Sequence, residues 1–221
     1  MGIEIKSLTL GMAATNAYII GDTYTGEAIV IDPVDNADLL YRTADEAGWT
    51  IRLILATHAH FDHVLASKAL KEKTGAPFWT HTNSVKWLET LPSQGMLFGI
   101  PKLPEAAKPD RLLTDARETI TIGSIALETL YTPGHAPDHI AYWMPDHDIV
   151  FSGDTLFEMS IGRTDLPGGD HDLLMRSIVN TLLPLGDAVQ VLPGHMNMTT
   201  IGRERLANPF IRQYLENLST G

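Results

Sequence analysis

The sequence predicts an α/β protein made of two mixed β-sheets with helices on their outer faces. Three observations predict it. Apolar runs of strand length recur from one end of the chain to the other. In each half, strands joined by tight turns give way to strand–helix alternation, which is how parallel strands are connected. The chain is also long enough, at 221 residues with 44% hydrophobic and 19% charged, to bury a large core.

Taken in order, "IEIKSLTL", "NAYIIGD" and "EAIVIDP" read as strands joined by Gly/Asp/Thr turns. "NADLLYRTADEAGW" sets Leu39, Leu40, Thr43 and Ala47 at helical spacing, with Gly48 as the stop. "IRLILATH" is a continuous apolar run and predicts a strand buried on both faces. "VLASKALKEKTG" is helical to Gly75, and "PFWTH" is a short strand. Residues 89–111 hold four Pro and two Gly, which predicts no regular buried structure. They form either a surface excursion between the halves or a loop lending apolar contacts to a pocket. In the second half "ETITIGSIALETLYT", "HIAYWMPD", "DIVFSGDT" and "AVQVLPGH" are strands. "HDLLMRSIVNTLLPLG" and "TTIGRERLANPFIRQYLENL" are helices, the second broken by Pro209.

Composition excludes several functions. A net charge of −11 argues against a nucleic-acid partner, which needs a basic surface. With no Cys, a disulfide, a thiolate ligand and a Cys nucleophile are all impossible, so any metal takes His and carboxylate ligands. The N-terminus has no basic segment followed by an apolar run, and no stretch approaches the roughly 18 apolar residues of a membrane span. The expectation is a cytoplasmic protein without a membrane partner. Its oligomeric state stays open.

"THAHFDH", residues 57–63, concentrates His58, His60, Asp62 and His63 in six positions. Burying them together is costly unless something pairs with them. His58 and His60 are two apart, so in an extended loop both point the same way. Asp62 and His63 are adjacent at a helix start and point differently, so the spacing suits two neighbouring metals. Three more strand-like runs end in His or Asp: "ETLYTPGHAPDH", "DIVFSGDT" and "AVQVLPGH". Ligand sites of α/β sheets gather at such carboxyl ends. Singly, Asp62 is a possible helix cap, and Asp32 and Asp154 are possible turn residues. Together the clusters predict a binuclear metal site.

The pattern H-x-H-x-D-H at His58, His60, Asp62 and His63, followed by His135, Asp154 and His195, resembles the metallo-β-lactamase superfold. That resemblance implies a four-layer αβ/βα sandwich and one domain over residues 1–221. It assigns His58, His60 and His135 to one metal, and Asp62, His63 and His195 to the other. Asp154 bridges the two. The cofactors implied are two divalent ions, zinc first, with iron or manganese also accepted by such donors. "TPGHAPDHI", "FSGDTLF", "IGRTDLPGGD" and "LPGHMNMTTIGRERLANPF" resemble the short bacterial glyoxalase II-like hydroxyacylglutathione hydrolases, which lack the helical glutathione-binding domain. Asp138 departs from the small residue usual there. The implied activity is hydrolysis of a small-molecule thioester such as S-lactoylglutathione by a metal-bridging hydroxide, with Asp62 as catalytic group. Thr57 and Thr155 flank ligands and are expected to support them. Arg163 and His139 are the expected substrate contacts, against a loop clamp of Arg163 with Asp165 and a satisfied core histidine. The persulfide dioxygenases share the fold and the "GRTD" loop, and imply instead one iron on His58, His135 and Asp154. A metal-binding module without turnover is the non-enzymatic reading.

Overall fold

A computed structural model of the chain describes residues 2–100 and 102–220. The chain forms two compact units, one of Met1–Thr114 with Thr119–Ala126, the other of Asp115–Glu118 with Leu127–Gly221.

Unit one is a mixed sheet. Its strands β1 (Ile3–Leu10), β2 (Thr15–Asp22), β3 (Glu27–Ile31), β4 (Thr50–Leu55), β5 (Phe78–His81) and β6 (Arg111–Leu113) are hydrogen-bonded in that order. The first three run antiparallel through tight turns, and β3 to β6 run parallel. Parallel neighbours need crossovers, and helices supply them. The first is α1 (Ala37–Glu46), capped at its start by the Asn36 side chain accepting from the Leu39 N–H. Between β4 and β5 come α2 (Phe61–Val64) and α3 (Ser67–Thr74). The core gathers Ile19, Val30, Leu40, Ile54, Leu70 and Phe78.

Three expectations change here. The helix read continuously to Gly75 is two pieces, because Ala66 leaves helical geometry at φ −88° and ψ 0°, its N–H donating to the Pro33 carbonyl. β4 is buried on both faces only over Leu53–Leu55, since Arg52 is exposed and pairs with Glu27 at 3.1 Å. Residues 89–111 are not wholly irregular. After α4 (Val85–Glu89) they hold α5 (Leu91–Gln94) and a tight turn at Gly95–Phe98. Pro92 sits in the first turn of α5, where its missing N–H has no helical partner to lose. Leu103 and Ala107, beyond it, join the core.

Unit one also takes β7 (Thr119–Ile122) and the beginning of β8 (Ile125–Tyr131). The turn between them is tied to the end of β2 by the buried Asp22. One Asp22 oxygen accepts from the Ser124 N–H and hydroxyl, both at 2.8 Å, and the other from the N–H groups of Tyr24 (2.8 Å) and Thr25 (3.3 Å).

Unit two adds β9 (Ile140–Met144), β10 (Ile149–Gly153), the hairpin β11 (Leu156–Phe157) and β12 (Ser160–Ile161), β13 (Gln190–Pro193) and β14 (Thr199–Thr200). Its sheet runs β14-β13-β10-β9-β8, with β10 and β13 parallel and the other pairs antiparallel. Helix α6 (His171–Ser177) continues through a π-helical stretch, Ile178–Leu182. The C-terminal helix breaks at Asn208 into α7 (Ile201–Ala207) and α8 (Pro209–Thr220), where Pro209 predicts the break. Leu130, Val150, Leu174, Ile178, Val191 and Ile211 pack its core. Two mixed sheets carrying helices is the fold class the sequence predicts. No helix among the described residues is long and apolar enough to cross a membrane.

The Ser124 N–H, helped by the Ser124 hydroxyl and the Tyr24 N–H, holds the Asp22 carboxyl well below the usual carboxylate range. A depressed folded pKa adds stability above the unfolded value of about 3.9, and that stability is lost as pH falls. Asp22→Asn should therefore lower the urea midpoint most at pH 7. The gap from the wild type should narrow steadily below about pH 4. A gap of constant size at both pH values would contradict the assignment.

Candidate metal centre

In unit one the site starts from Asp32, just past the end of β3. It is buried and holds φ +53°, a left-handed backbone that Asp tolerates better than most residues. One carboxylate oxygen accepts from the Thr57 N–H at 2.7 Å, the other from the Thr57 hydroxyl at 2.9 Å and from His63 Nδ1 at 2.9 Å. These contacts assign the protons. His63 carries its hydrogen on Nδ1. The Thr57 hydroxyl hydrogen goes to Asp32, so the Thr57 oxygen accepts from His58 Nδ1 at 3.0 Å. His58 and His63, both fully buried, thus present Nε2 as the lone-pair nitrogen.

The resulting ligand atoms are spaced as metal ligands. His58 Nε2 lies 3.0 Å from His60 Nδ1, and His63 Nε2 lies 3.6 Å from Asp62 Oδ2. Two donors each about 2.0–2.1 Å from a tetrahedral ion stand about 3.3 Å apart. Thr15, at the start of β2, donates its hydroxyl to Asp62 Oδ2 at 2.8 Å. The Trp87 ring meets His60 edge-on, centroids 5.8 Å apart. Gln94 of α5 donates to the carbonyls of Ala59 (3.2 Å) and Trp87 (2.8 Å), so the segment expected to be irregular braces the loop carrying the histidines.

Unit two orients its residues with backbone and neutral groups. β10 and β13 are parallel neighbours, with Gly153 opposite Pro193, so Asp154 and His195 follow at adjacent carboxyl ends. His135 Nδ1 donates to the Arg163 carbonyl at 2.7 Å, which again assigns the lone pair to Nε2. Both Nε2 atoms approach Asp154 Oδ2, His135 at 3.5 Å and His195 at 3.3 Å. Gly is required twice. At Gly134 (φ +130°) a Cβ would lie 2.2 Å from the Leu174 nitrogen, and at Gly162 one would lie 1.9 Å from the Asp154 carbonyl oxygen.

The structure thus brings His58, His60, Asp62 and His63 together in unit one, and His135, Asp154 and His195 in unit two. Both expected substrate contacts have partners within the fold. His139 is fully buried behind Asp154, its Nε2 accepting from the Asp154 N–H at 3.0 Å and its Nδ1–H donating to the Thr132 hydroxyl oxygen at 2.8 Å. Its work is to hold the Asp154 loop. Thr155 hydrogen-bonds His139 at 3.3 Å. The Arg163 guanidinium is engaged by Asp165 through two bonds of 2.7 Å, a loop clamp. The Arg163 bond holds the Asp165 carboxyl down at about 2. Asp32 is the supporting residue that sequence reasoning left among turns. Its signal was an apolar run ending in Asp, "VIDP", like the runs that end in ligands.

Removing the Asp32 carboxylate frees both ring tautomers at once. Asp32→Ala should weaken zinc binding by about 10–100-fold, as loss of a ligand-orienting partner does. Competition with a chromophoric chelator measures it. Unchanged affinity would show that Asp32 only stabilises the loop.

The sequence and fold both have relatives. The family model described as the metallo-beta-lactamase superfamily matches residues 10–195. The hydroxyacylglutathione hydrolase GloC of Haemophilus influenzae is 38% identical over 212 residues, covering 96% of this chain and 98% of its own. Among solved structures, the BLEG-1 B3 metallo-beta-lactamase superposes with a TM-score of 0.87 at 41% identity, over 94% of this chain and 99% of the other. TTHA1623, solved in a di-iron-bound form, gives 0.83 at 35% identity, over 93% and 99%. With its own His and Asp side chains arranged as above, the chain belongs to the metallo-β-lactamase superfamily.

Proposed function

We propose that this protein is a binuclear metallohydrolase that cleaves a small-molecule thioester, as a glyoxalase II-type enzyme does. His58, His60 and His135 would hold one divalent ion and Asp62, His63 and His195 the other, with Asp154 shared. The observation that carries the reading is the pinning of three imidazoles at Nδ1, by Thr57 for His58, Asp32 for His63 and the Arg163 carbonyl for His135. Metal-ligating histidines have this pattern, in which the second ring nitrogen is tied to an oxygen acceptor. The donor set is all nitrogen and oxygen, which suits zinc, iron or manganese. The relationship to GloC supports the thioester, and the di-iron form of TTHA1623 keeps iron open beside zinc.

When bound, the ions supply Lewis acidity, lowering the pKa of water toward about 7 and polarising an acyl carbonyl. The rest falls to the chain. Asp62, steadied by Thr15, holds the proton of the attacking water. Asp154 is kept in place by His139 behind its backbone. A thiolate leaves without strong acid assistance, because a thiol has a pKa of about 8.5. No protein nucleophile is required, which fits a chain with no Cys.

Elemental analysis of the freshly purified protein should find about two equivalents of metal per chain. S-lactoylglutathione should be hydrolysed at a rate that a chelator abolishes. Asp154→Ala should lose turnover and at least one equivalent of metal while keeping its circular dichroism spectrum. One equivalent of iron with oxygen uptake on glutathione persulfide would overturn the hydrolase reading.

A further inference from the structure

Three exposed methionines crowd two loops of unit two. Met159 (41% exposed) sits in the turn between β11 and β12, and Met196 (57%) and Met198 (63%) lie between His195 and β14. Met159 has φ +57° and Met196 has φ +67°. Such backbone is costly for a long side chain and persists only where the surroundings over-determine it. At Met159 a buried carboxylate does so. Glu204 of α7 accepts from the Met159 N–H at 2.8 Å and from the Thr199 hydroxyl at 2.6 Å. Asn208 donates to Glu204 at 2.8 Å and to the Ser160 carbonyl at 3.0 Å. Asn197 donates to Glu158 at 3.0 Å, so chain neighbours of all three methionines join the two loops.

Met196 directly follows His195, and the Phe157 ring meets the His195 ring edge-on at 6.0 Å. The guanidiniums of these loops are engaged, Arg203 with Glu158 at 2.9 Å and Arg163 with Asp165. The loops that follow β11 and His195 thus carry three exposed thioethers beside polar groups already paired with one another.

We infer that Met159, Met196 and Met198 form a specificity lip that receives the aliphatic chain of an acyl thioester, so that the preferred acyl group is longer and less polar than lactoyl. The inference rests on the thioester reading above and names the substrate class within it. Thioethers suit this task because their unbranched, polarisable chains conform to alkyl groups of varied shape.

The test is calorimetric titration of the metal-loaded protein with S-methylglutathione and S-hexylglutathione. Both are thioethers that resist hydrolysis and carry alkyl where the acyl group would lie. Each methylene removed from water is worth about fourfold, so the hexyl compound should bind at least about tenfold tighter. In the Met159→Asn/Met196→Asn double variant that preference should shrink to within about twofold. Asn tolerates left-handed backbone better than Met, so fold and metal content should survive. Equal binding of the two compounds by the wild type, or a preference unchanged in the variant, overturns the lip. Hydrolysis assays with lactoyl and hexanoyl thioesters separate the two readings. Chain preference in binding without any hydrolysis leaves the lip and overturns the reaction. Hydrolysis of both at equal efficiency, with no binding preference, overturns the lip alone.

Discussion

Burying a carboxylate at the end of a strand costs several kcal/mol of lost hydration, of order 5 or more, and Asp32 offsets it with three hydrogen bonds from the loop after β4. Bonds to a charged acceptor are worth about 1.5–3 kcal/mol each, so the offset is of the right size. The rest of unit one's histidine arrangement follows. Asp32 N–H donates to the Leu55 carbonyl, which continues the β3–β4 pairing one residue past Ile31. The carboxylate then fixes Thr57, Thr57 fixes His58, and the same carboxylate fixes His63. One charge sets two imidazole tautomers and the path of seven residues. A neutral side chain of the same shape has no second acceptor oxygen for this.

Unit two reaches a comparable result by other means. His135 is oriented by a peptide carbonyl and Asp154 by an imidazole, with Gly134 and Gly162 permitting the close approaches. A carboxylate draws on an imidazole N–H more strongly than a carbonyl does, so His63 should be the more electron-rich ligand and His135 the less. The two kinds of partner therefore leave chemically unequal nitrogen donors.

The strands and most helices were legible because period and punctuation agree. Pro209 does break the last helix, and Gly75 does end α3. The candidate ligand residues could be singled out because His and Asp gather where apolar runs stop. What escaped depends on three-dimensional partners. Nothing local in "VIDP" says that a carboxylate meets residues 25 and 31 positions later. The burial of His139 follows from its contacts with Thr132 and Asp154, not from its spacing to His135. The Arg163–Asp165 clamp was one of two possibilities visible in sequence, and its bidentate geometry appears only in three dimensions. In residues 89–111 Pro and Gly density suggested irregularity, yet Pro92 falls in a first turn that tolerates it.

Left-handed backbone sorts the remaining residues by purpose. Among the described non-glycine positions with positive φ, Asn36 caps α1 and Asp148 closes a turn, both short polar residues suited to such geometry. Asp32 has the same excuse and also holds the imidazoles. Ala14, Met159 and Met196 are not such residues, and at the two methionines a long unbranched side chain gains nothing from this backbone and loses about 1–3 kcal/mol. At Met159 that cost is offset by a buried glutamate and a buried asparagine whose hydrogen bonds run to Met159 and Ser160. Stability alone would favour Asn or Gly at both positions. Methionine there, beside His195, therefore answers to what lies outside the fold.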